Sequence, residues 1–255
     1  SADSLQLYAV CDGMGGEAAG ETASFEAVHA LHLLQEEASD TISDDALTRC
    51  LNQVSMKIYE AAHNLGARSG TTFAGCLWQN GRMRVAHIGD SRVYRLRGGR
   101  LEQLTVDHSE VQRLVSMGVL SADEAKTHPK RHVISQYLGM PSDEVTVAPT
   151  LSPWYEGKIG DFYMLCSDGL TDMLDHPGIE QTLAGAEDAK SAAVALVQEA
   201  LRKGGRDNVT VMCLYLLARK RGVRWTPFQK ALLGGGLLTA LLGAFCLAEI
   251  IYRLM

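Results

Sequence analysis

The chain of 255 residues has no basic excess: 24 Lys and Arg stand against 30 Asp and Glu, a formal charge of -6. Modules that bind nucleic acid carry a cationic face to neutralise phosphates, so nucleic acid is not an expected partner. Close cysteine pairs are also missing. The six cysteines, at 11, 50, 76, 166, 213 and 246, are too scattered for a zinc knuckle or a disulfide framework. A reducing, intracellular compartment suits them. The first residues, Ser1 to Gln6, lack the basic and apolar regions of a secretory signal, and no internal repeat or low-complexity stretch marks the first 218 residues. What is present is a globular balance, 46% apolar and 21% charged, which excludes wholesale disorder.

A long apolar run is absent until residue 231. From Ala231 to Tyr252 the chain then reads 22 residues with a single charge, Glu249. As a helix this would be about 33 Å long, matching a bilayer core. Arg219, Lys220, Arg221, Arg224 and Lys230 precede it, with Trp225 among them, and by the positive-inside rule the preceding domain would face the cytoplasm. The expected organisation is one domain over 1–218, a basic juxtamembrane linker over 219–230, and a single-pass transmembrane helix over 231–252 in the inner (cytoplasmic) membrane.

Within the first 218 residues the periodicities alternate. Leu7 to Cys11 is a short apolar run stopped by Asp12 and glycines, as for a buried strand. Two helical patterns follow. One, over 18–37, places Phe25, Val28, Leu31 and Leu34 on a stripe; the other, over 44–65 behind Ser43 as N-cap, places Leu47, Leu51, Val54, Ile58, Ala62 and Leu65 on another. Alternating runs over 71–78, 83–88, 92–96 and 100–104, separated by Asn80-Gly81 and Gly98-Gly99, predict antiparallel hairpins. Ser109-x-x-Gln112 and Ser121-x-x-Glu124 resemble capping boxes of two short helices. Strands over 162–166 and 209–217 flank a helix over 189–203. Hairpins grouped together and helices arriving in pairs favour an α+β domain of antiparallel sheets covered by helices over a doubly wound parallel sheet.

Three aspartates fall where an apolar strand meets a turn of small residues: Asp12, Asp168 and Asp207. A short carboxylate beside approachable backbone suits a hard divalent cation, which wants oxygen ligands and keeps several waters; each pair alone is also an ordinary turn. Asp12-Gly13-Met14-Gly15-Gly16 lacks the Gly-Lys-Ser/Thr ending of a P-loop. No cysteine lies in a phosphate-cradling loop, and Cys11 and Cys166 read as core residues.

Asp12-Gly13-Met14-Gly15-Gly16, Ser69-Gly70-Thr71-Thr72, Gly89-Asp90-Ser91-Arg92, Asp107-His108-Ser109, Ser167-Asp168-Gly169 and Arg206-Asp207-Asn208 occur in that order. Together they resemble the metal-dependent protein Ser/Thr phosphatases, the PPM or type 2C family, in its bacterial form. The resemblance covers about residues 5–217. It implies an α-β-β-α sandwich, two antiparallel sheets flanked by helices, with two Mn²⁺ or Mg²⁺ ions at one edge and room for a third. It also implies that Asp12 bridges both metals, that the Gly13 carbonyl serves the second, and that Asp168 and Asp207 hold the first. Asp107 would join Asp168 at the third. Asn208 would orient the loop around Asp207, and Asp90 and Arg92 would lend structural support. The activity implied is hydrolysis of phosphoserine and phosphothreonine in phosphorylated proteins by metal-activated water, opposing a Ser/Thr kinase. A pair of cations about 3.5–4 Å apart can activate water and clamp both oxygens of an in-line displacement, so no protein nucleophile is required.

The chain departs from that pattern at several points. Met14 and Glu17 stand where family members place a His, so leaving-group protonation falls to water or another residue. In the flap, over 109–140, Arg131 and His132 are candidate contacts to phosphoprotein substrate, against the plainer reading of a solvated loop. The family's Arg and Asn-Glu-Asp segment before the first motif has no counterpart in the eleven residues ahead of Asp12. The expectation is a weakly held second metal. The alternative function is a non-catalytic, phosphatase-like regulatory or scaffold protein, and a fragment of a larger chain would also explain the abrupt start.

Overall fold

The computed structural model describes residues 5–64, 66–141, 147–217 and 248–252. Two antiparallel sheets form its centre. The first is built from β1 (Gln6–Val10), β4 (Phe73–Gln79), β5 (Arg82–Ile88) and β8 (Thr150–Leu151) in that order, with β9 (Tyr155–Glu156) also paired to β5. The second runs β12 (Ala248–Tyr252), β11 (Val209–Tyr215), β10 (Phe162–Cys166), β6 (Arg92–Arg97) and β7 (Arg100–Gln103). A short ribbon pairs β2 (Gly13–Met14) with β3 (Gly70–Thr71).

Alternation along the strands makes three cores. Val10, Ala74, Cys76, Trp78, Met83 and Val85 from the first sheet meet Val93, Tyr163, Leu165, Met212 and Leu214 from the second. The intervening residues point outward. Phe73, Leu77, Ala86 and Ile88 pack under α1 (Glu17–Glu37) and α2 (Asp44–Asn64), while Phe162, Met164, Cys166, Val209, Val211 and Cys213 pack under α6 (His176–Ala184) and α7 (Ala189–Arg202). The result is the expected sandwich of helix, sheet, sheet and helix.

Local signals in the sequence account for many of the element ends. Ser43 Oγ accepts from the Ala46 N–H at 3.1 Å and starts α2, whose buried residues Leu47, Leu51, Val54, Ile58 and Ala62 are the expected stripe. Asn80 and Gly81 have φ of 53° and 72°, and Gly98 and Gly99 have 59° and 79°, as two-residue hairpin turns require. Ser109 and Ser121 cap α3 (Glu110–Ser116) and α4 (Ala122–Thr127).

Two expectations are corrected. In α1 only half of the expected stripe faces inward: Leu31 is buried and Leu34 packs on the same core, but Phe25 is 65% and Val28 48% exposed, and Ala23 and Ala27 take the inner positions. The helix begins too close to the sheet for bulk, since a Cβ on Gly13 would fall 2.0 Å from the Gly20 carbonyl oxygen. The second correction concerns the transmembrane helix. Residues 219–247, including the basic linker, lie outside the described residues, but the end of the span is strand β12, with Tyr252 opposite Val209 and Ala248 opposite Cys213. The last five residues of the expected span, 248–252, are therefore strand and not helix. Ile250, Ile251 and Tyr252 favour extended backbone, and β11 offers them an otherwise unpaired edge. Among the described residues no helix is long and apolar enough to cross a membrane.

Removing residues 248–255 should leave the β10–β11 ladder intact and expose the other edge of β11. Hydrogen exchange should show faster exchange at alternate β11 amides, those that face β12, with little change at those that face β10. Unchanged protection throughout β11 would show that the strand does not pair there.

Candidate metal centre

Asp12 stands at the end of β1, and its backbone is held at both polar atoms. Its N–H donates to Thr72 Oγ1 at 2.9 Å. Its carbonyl accepts from the Thr72 N–H at 2.9 Å and from Thr71 Oγ1 at 2.9 Å. Thr72 Oγ1 lies 2.7 Å from Ser91 Oγ, which ties the Gly89-Asp90-Ser91 turn to the same clamp. Gly13 continues into β2 against Gly20 with no room for a side chain.

Asp168 and Asp207 arrive from the second sheet. Because β10 and β11 are antiparallel with Cys166 opposite Val211, the end of one strand and the start of the other share an edge. Asp168 opens α5 (Asp168–Thr171), and Asp207 precedes β11. A Cβ on Gly169 would fall 2.2 Å from the Asn208 carbonyl oxygen, so glycine lets the helix turn against the Asp207 loop. The Asn208 backbone fixes that loop: its N–H donates to Asp207 Oδ1 at 2.7 Å and its carbonyl accepts from Ser167 Oγ at 3.4 Å. β1 packs across β10 and β11, which brings Asp12 to the same corner.

The corner concentrates negative charge. Burial, then the charges of Asp168, Asp207 and Asp90, raise the Asp12 carboxyl well above the usual carboxylate range. Burial, then Asp172 and Asp207, raise Asp168. Asp90, 8% exposed, is pushed up to about 7 by burial and by Asp168 and Asp107. Among the described residues none of Asp12, Asp90, Asp168 and Asp207 forms an ion pair with Lys or Arg. Oxygen donors crowded together without a cationic partner fit a hard divalent ion.

The remaining expected residues divide. Asp90 belongs to this carboxylate group, a closer role than support at a distance. Arg92 turns the other way and holds Asp107 with both ends of its guanidinium, Nε to Oδ1 at 2.8 Å and Nη2 to Oδ2 at 2.6 Å. Asp107 is thus already neutralised by a cation of the chain itself. His108 is structural: burial and the neighbouring His87 push it down to about 4, its Nδ1 accepts the Gly89 N–H at 3.2 Å, and its Nε2 lies 2.9 Å from Thr150 Oγ1.

Arg131 is exposed in the flap turn, while His132 reaches the centre, with Nδ1 3.5 Å from Asp172 Oδ2. The sequence reading did not single out Asp172. Its spacing of four from Asp168 was the available signal, because that spacing puts both on one face of a helical turn.

Two packed antiparallel sheets with carboxylates converging at one edge make a scaffold suited to divalent metal ions. The family model for Protein phosphatase 2C matches residues 1–209, and the chain belongs to that family. It is 42% identical over 210 residues to the serine/threonine protein phosphatase PstP of Mycobacterium tuberculosis, covering 81% of this chain and 40% of PstP. The chain thus spans about two fifths of the length of that relative. It is 31% identical over 217 residues to the serine/threonine phosphatase stp of Listeria monocytogenes, covering 82% of this chain and 84% of stp. The solved structure of the PstP catalytic domain in complex with two manganese ions superposes with a TM-score of 0.72 at 35% identity, over 85% of this chain and 92% of that one. Stp1 from Staphylococcus aureus gives a TM-score of 0.76 at 31% identity, over 84% and 85%.

Gly169→Ala should push α5 from the Asp207 loop, cost about 1–3 kcal/mol of stability as overpacking does, and weaken Mn²⁺ binding; chemical denaturation and a metal titration would check both. The raised carboxyls also set a pH dependence. A group whose native pKa lies above its unfolded value contributes stability below the unfolded value, about 4, and loses it as pH rises through the native one. In chelator the melting temperature should fall between about pH 4 and about pH 7, the window that Asp90 sets, and Mn²⁺ added at the upper end should restore it.

Proposed function

We propose that this chain is a protein Ser/Thr phosphatase that hydrolyses phosphoserine and phosphothreonine at a dinuclear Mn²⁺ or Mg²⁺ centre, opposing a Ser/Thr kinase. The observation that carries the reading is the convergence of Asp12, Asp168 and Asp207, with Asp90, four carboxylates of which none, among the described residues, forms an ion pair with Lys or Arg. Asp12 would serve both metal positions, the Gly13 carbonyl the second, and Asp168 and Asp207 the first. When bound, the ions supply an activated water for in-line attack on phosphorus and neutralise the phosphoryl oxygens.

The residues of the chain do the rest. Thr71 and Thr72 fix the Asp12 backbone, so the carboxylate does not retreat from its like-charged neighbours. Ser167 and Asn208 hold Asp207 beside Asp168. Buried cysteines contribute no nucleophile: burial raises the thiols of Cys11, Cys76 and Cys166 to about 12, so they stay protonated near neutral pH. Arg131, exposed at the flap turn, is available to a phosphoprotein substrate. The catalytic reading does not depend on a membrane tether, whose expected span lies outside the described residues except for strand β12 at its end.

Asp168→Asn or Asp207→Asn should lower kcat/KM on a phosphothreonine peptide by several orders of magnitude, with the fold retained by circular dichroism. Full activity in excess chelator, or an unchanged rate in either variant, would contradict the metal mechanism.

A further inference from the structure

We propose that Ser55, on the buried face of α2, is a positioning residue for the metal centre, one that acts through the return segment of the flap on the backbone of Asp12. The proposal rests on the phosphatase reading in that Asp12 is there the ligand of both ions.

Ser55 is 4% exposed and lies among Leu51, Val54 and Ile58, the apolar residues that seat α2. A hydroxyl in such a stripe costs stability unless it is bonded, and alanine is the better helix former. A serine inside a helix commonly bonds back to the carbonyl one turn earlier. Ser55 Oγ instead accepts the Gly139 N–H at 2.9 Å, across 84 positions of sequence.

Three parts of the chain meet at Gly139. Its φ is 101°, and a Cβ on it would fall 2.7 Å from Ile58 Cγ2 of α2 and 2.7 Å from the Ser69 carbonyl oxygen. The residue is buried, so without Ser55 its N–H would lose its acceptor away from water.

From Gly139 the restraint passes to Asp12 by bonds of 2.9 Å. Leu138, fully buried, exchanges two backbone hydrogen bonds with Thr71. Thr71 Oγ1 donates to the Asp12 carbonyl, which also accepts the Thr72 N–H. The charges of Asp168, Asp207 and Asp90 press on Asp12, and among the described residues it has no ion pair with Lys or Arg. The place of its carboxylate is therefore set through its backbone, and slack in these bonds reaches it. At the far end of the series α2 is fixed, its 21 residues seated by five buried apolar side chains.

The test uses the whole chain. Ser55→Ala removes the acceptor without weakening the helix, and Ser55→Thr and Ser55→Val share one shape with and without the hydroxyl. The proteins are stripped with chelator and titrated with Mn²⁺ while free Mn²⁺ is read by electron paramagnetic resonance. Ser55→Ala and Ser55→Val should bind at least about threefold more weakly than wild type, short of the roughly 10–100-fold that loss of a partner bonded directly to a ligand costs. Ser55→Thr should recover what Ser55→Val loses. Val54→Ala opens a cavity in the same turn of α2 without removing the Gly139 bond; it should destabilise the fold and leave Mn²⁺ affinity unchanged. In chelator, hydrogen exchange in Ser55→Ala should quicken at the Leu138, Thr71 and Thr72 amides and stay the same along α2. Equal Mn²⁺ affinity in wild type, Ser55→Ala and Ser55→Val, or an equal loss in Val54→Ala, overturns the proposal. If wild type binds no Mn²⁺ at all, the phosphatase reading falls, and the exchange rates alone decide whether Ser55 holds the Asp12 backbone.

Discussion

Repulsion between carboxylates is the constraint on which the rest of this structure depends. Asp12, Asp90, Asp168 and Asp207 are held at one corner where Asp168, Asp207 and Asp90 raise the proton affinity of Asp12, and Asp168 that of Asp90, and such groups would separate if the backbone let them. The chain opposes this with neutral hydrogen bonds rather than countercharge. Two threonines grip the Asp12 backbone, Ser91 joins Thr72, and Ser167 with the Asn208 backbone holds the Asp207 turn. Countercharge from Lys or Arg would stabilise the corner and at the same time compete with cations for its oxygens.

The layered fold supplies the rigidity this requires. Asp12 follows a strand of one sheet, and Asp168 and Asp207 flank two strands of the other. Their spacing is thus set by the inter-sheet core, in which Val10, Leu165 and Met212 belong to one cluster. Such a core is close-packed and transmits small displacements. The glycines that touch backbone, Gly13 against Gly20 and Gly169 against Asn208, bring the loops nearer than any side chain would permit.

The flap adds a part of the chain that is fixed at its base and open at its tip. Its return segment is bonded to the ribbon by reciprocal hydrogen bonds between Thr71 and Leu138, each 2.9 Å, and the Gly139 N–H donates to the buried Ser55 Oγ at 2.9 Å. The same Ser69-to-Thr72 segment therefore secures Asp12 on one side and the flap on the other. This arrangement brings the flap's His132 within 4.8 Å of the Asp168 carboxylate, while Arg131 beside it stays in solvent.

Sequence alone determined what depends on neighbours along the chain. The hairpin turns at Asn80-Gly81 and Gly98-Gly99 were legible because only a few residues accept positive φ. The caps at Ser43, Ser109 and Ser121 were legible because a hydroxyl there meets the free N–H groups of a helix start. The ordered aspartate motifs pointed to the metal centre and its family for the same reason, each being a strand end followed by small residues. What only the tertiary structure decided depends on groups far apart in sequence. The first half of the α1 stripe was misread, Leu31 and Leu34 packing inward as expected, because the close approach of the helix to β2 favours Ala23 and Ala27 over Phe25. Residues 248–252, at the end of the apolar run, read as helix because hydropathy does not register a vacant sheet edge. The partner of Asp107 and the meeting of His132 with Asp172 were hidden too, since a carboxylate motif does not reveal which cation or imidazole the fold will bring to it.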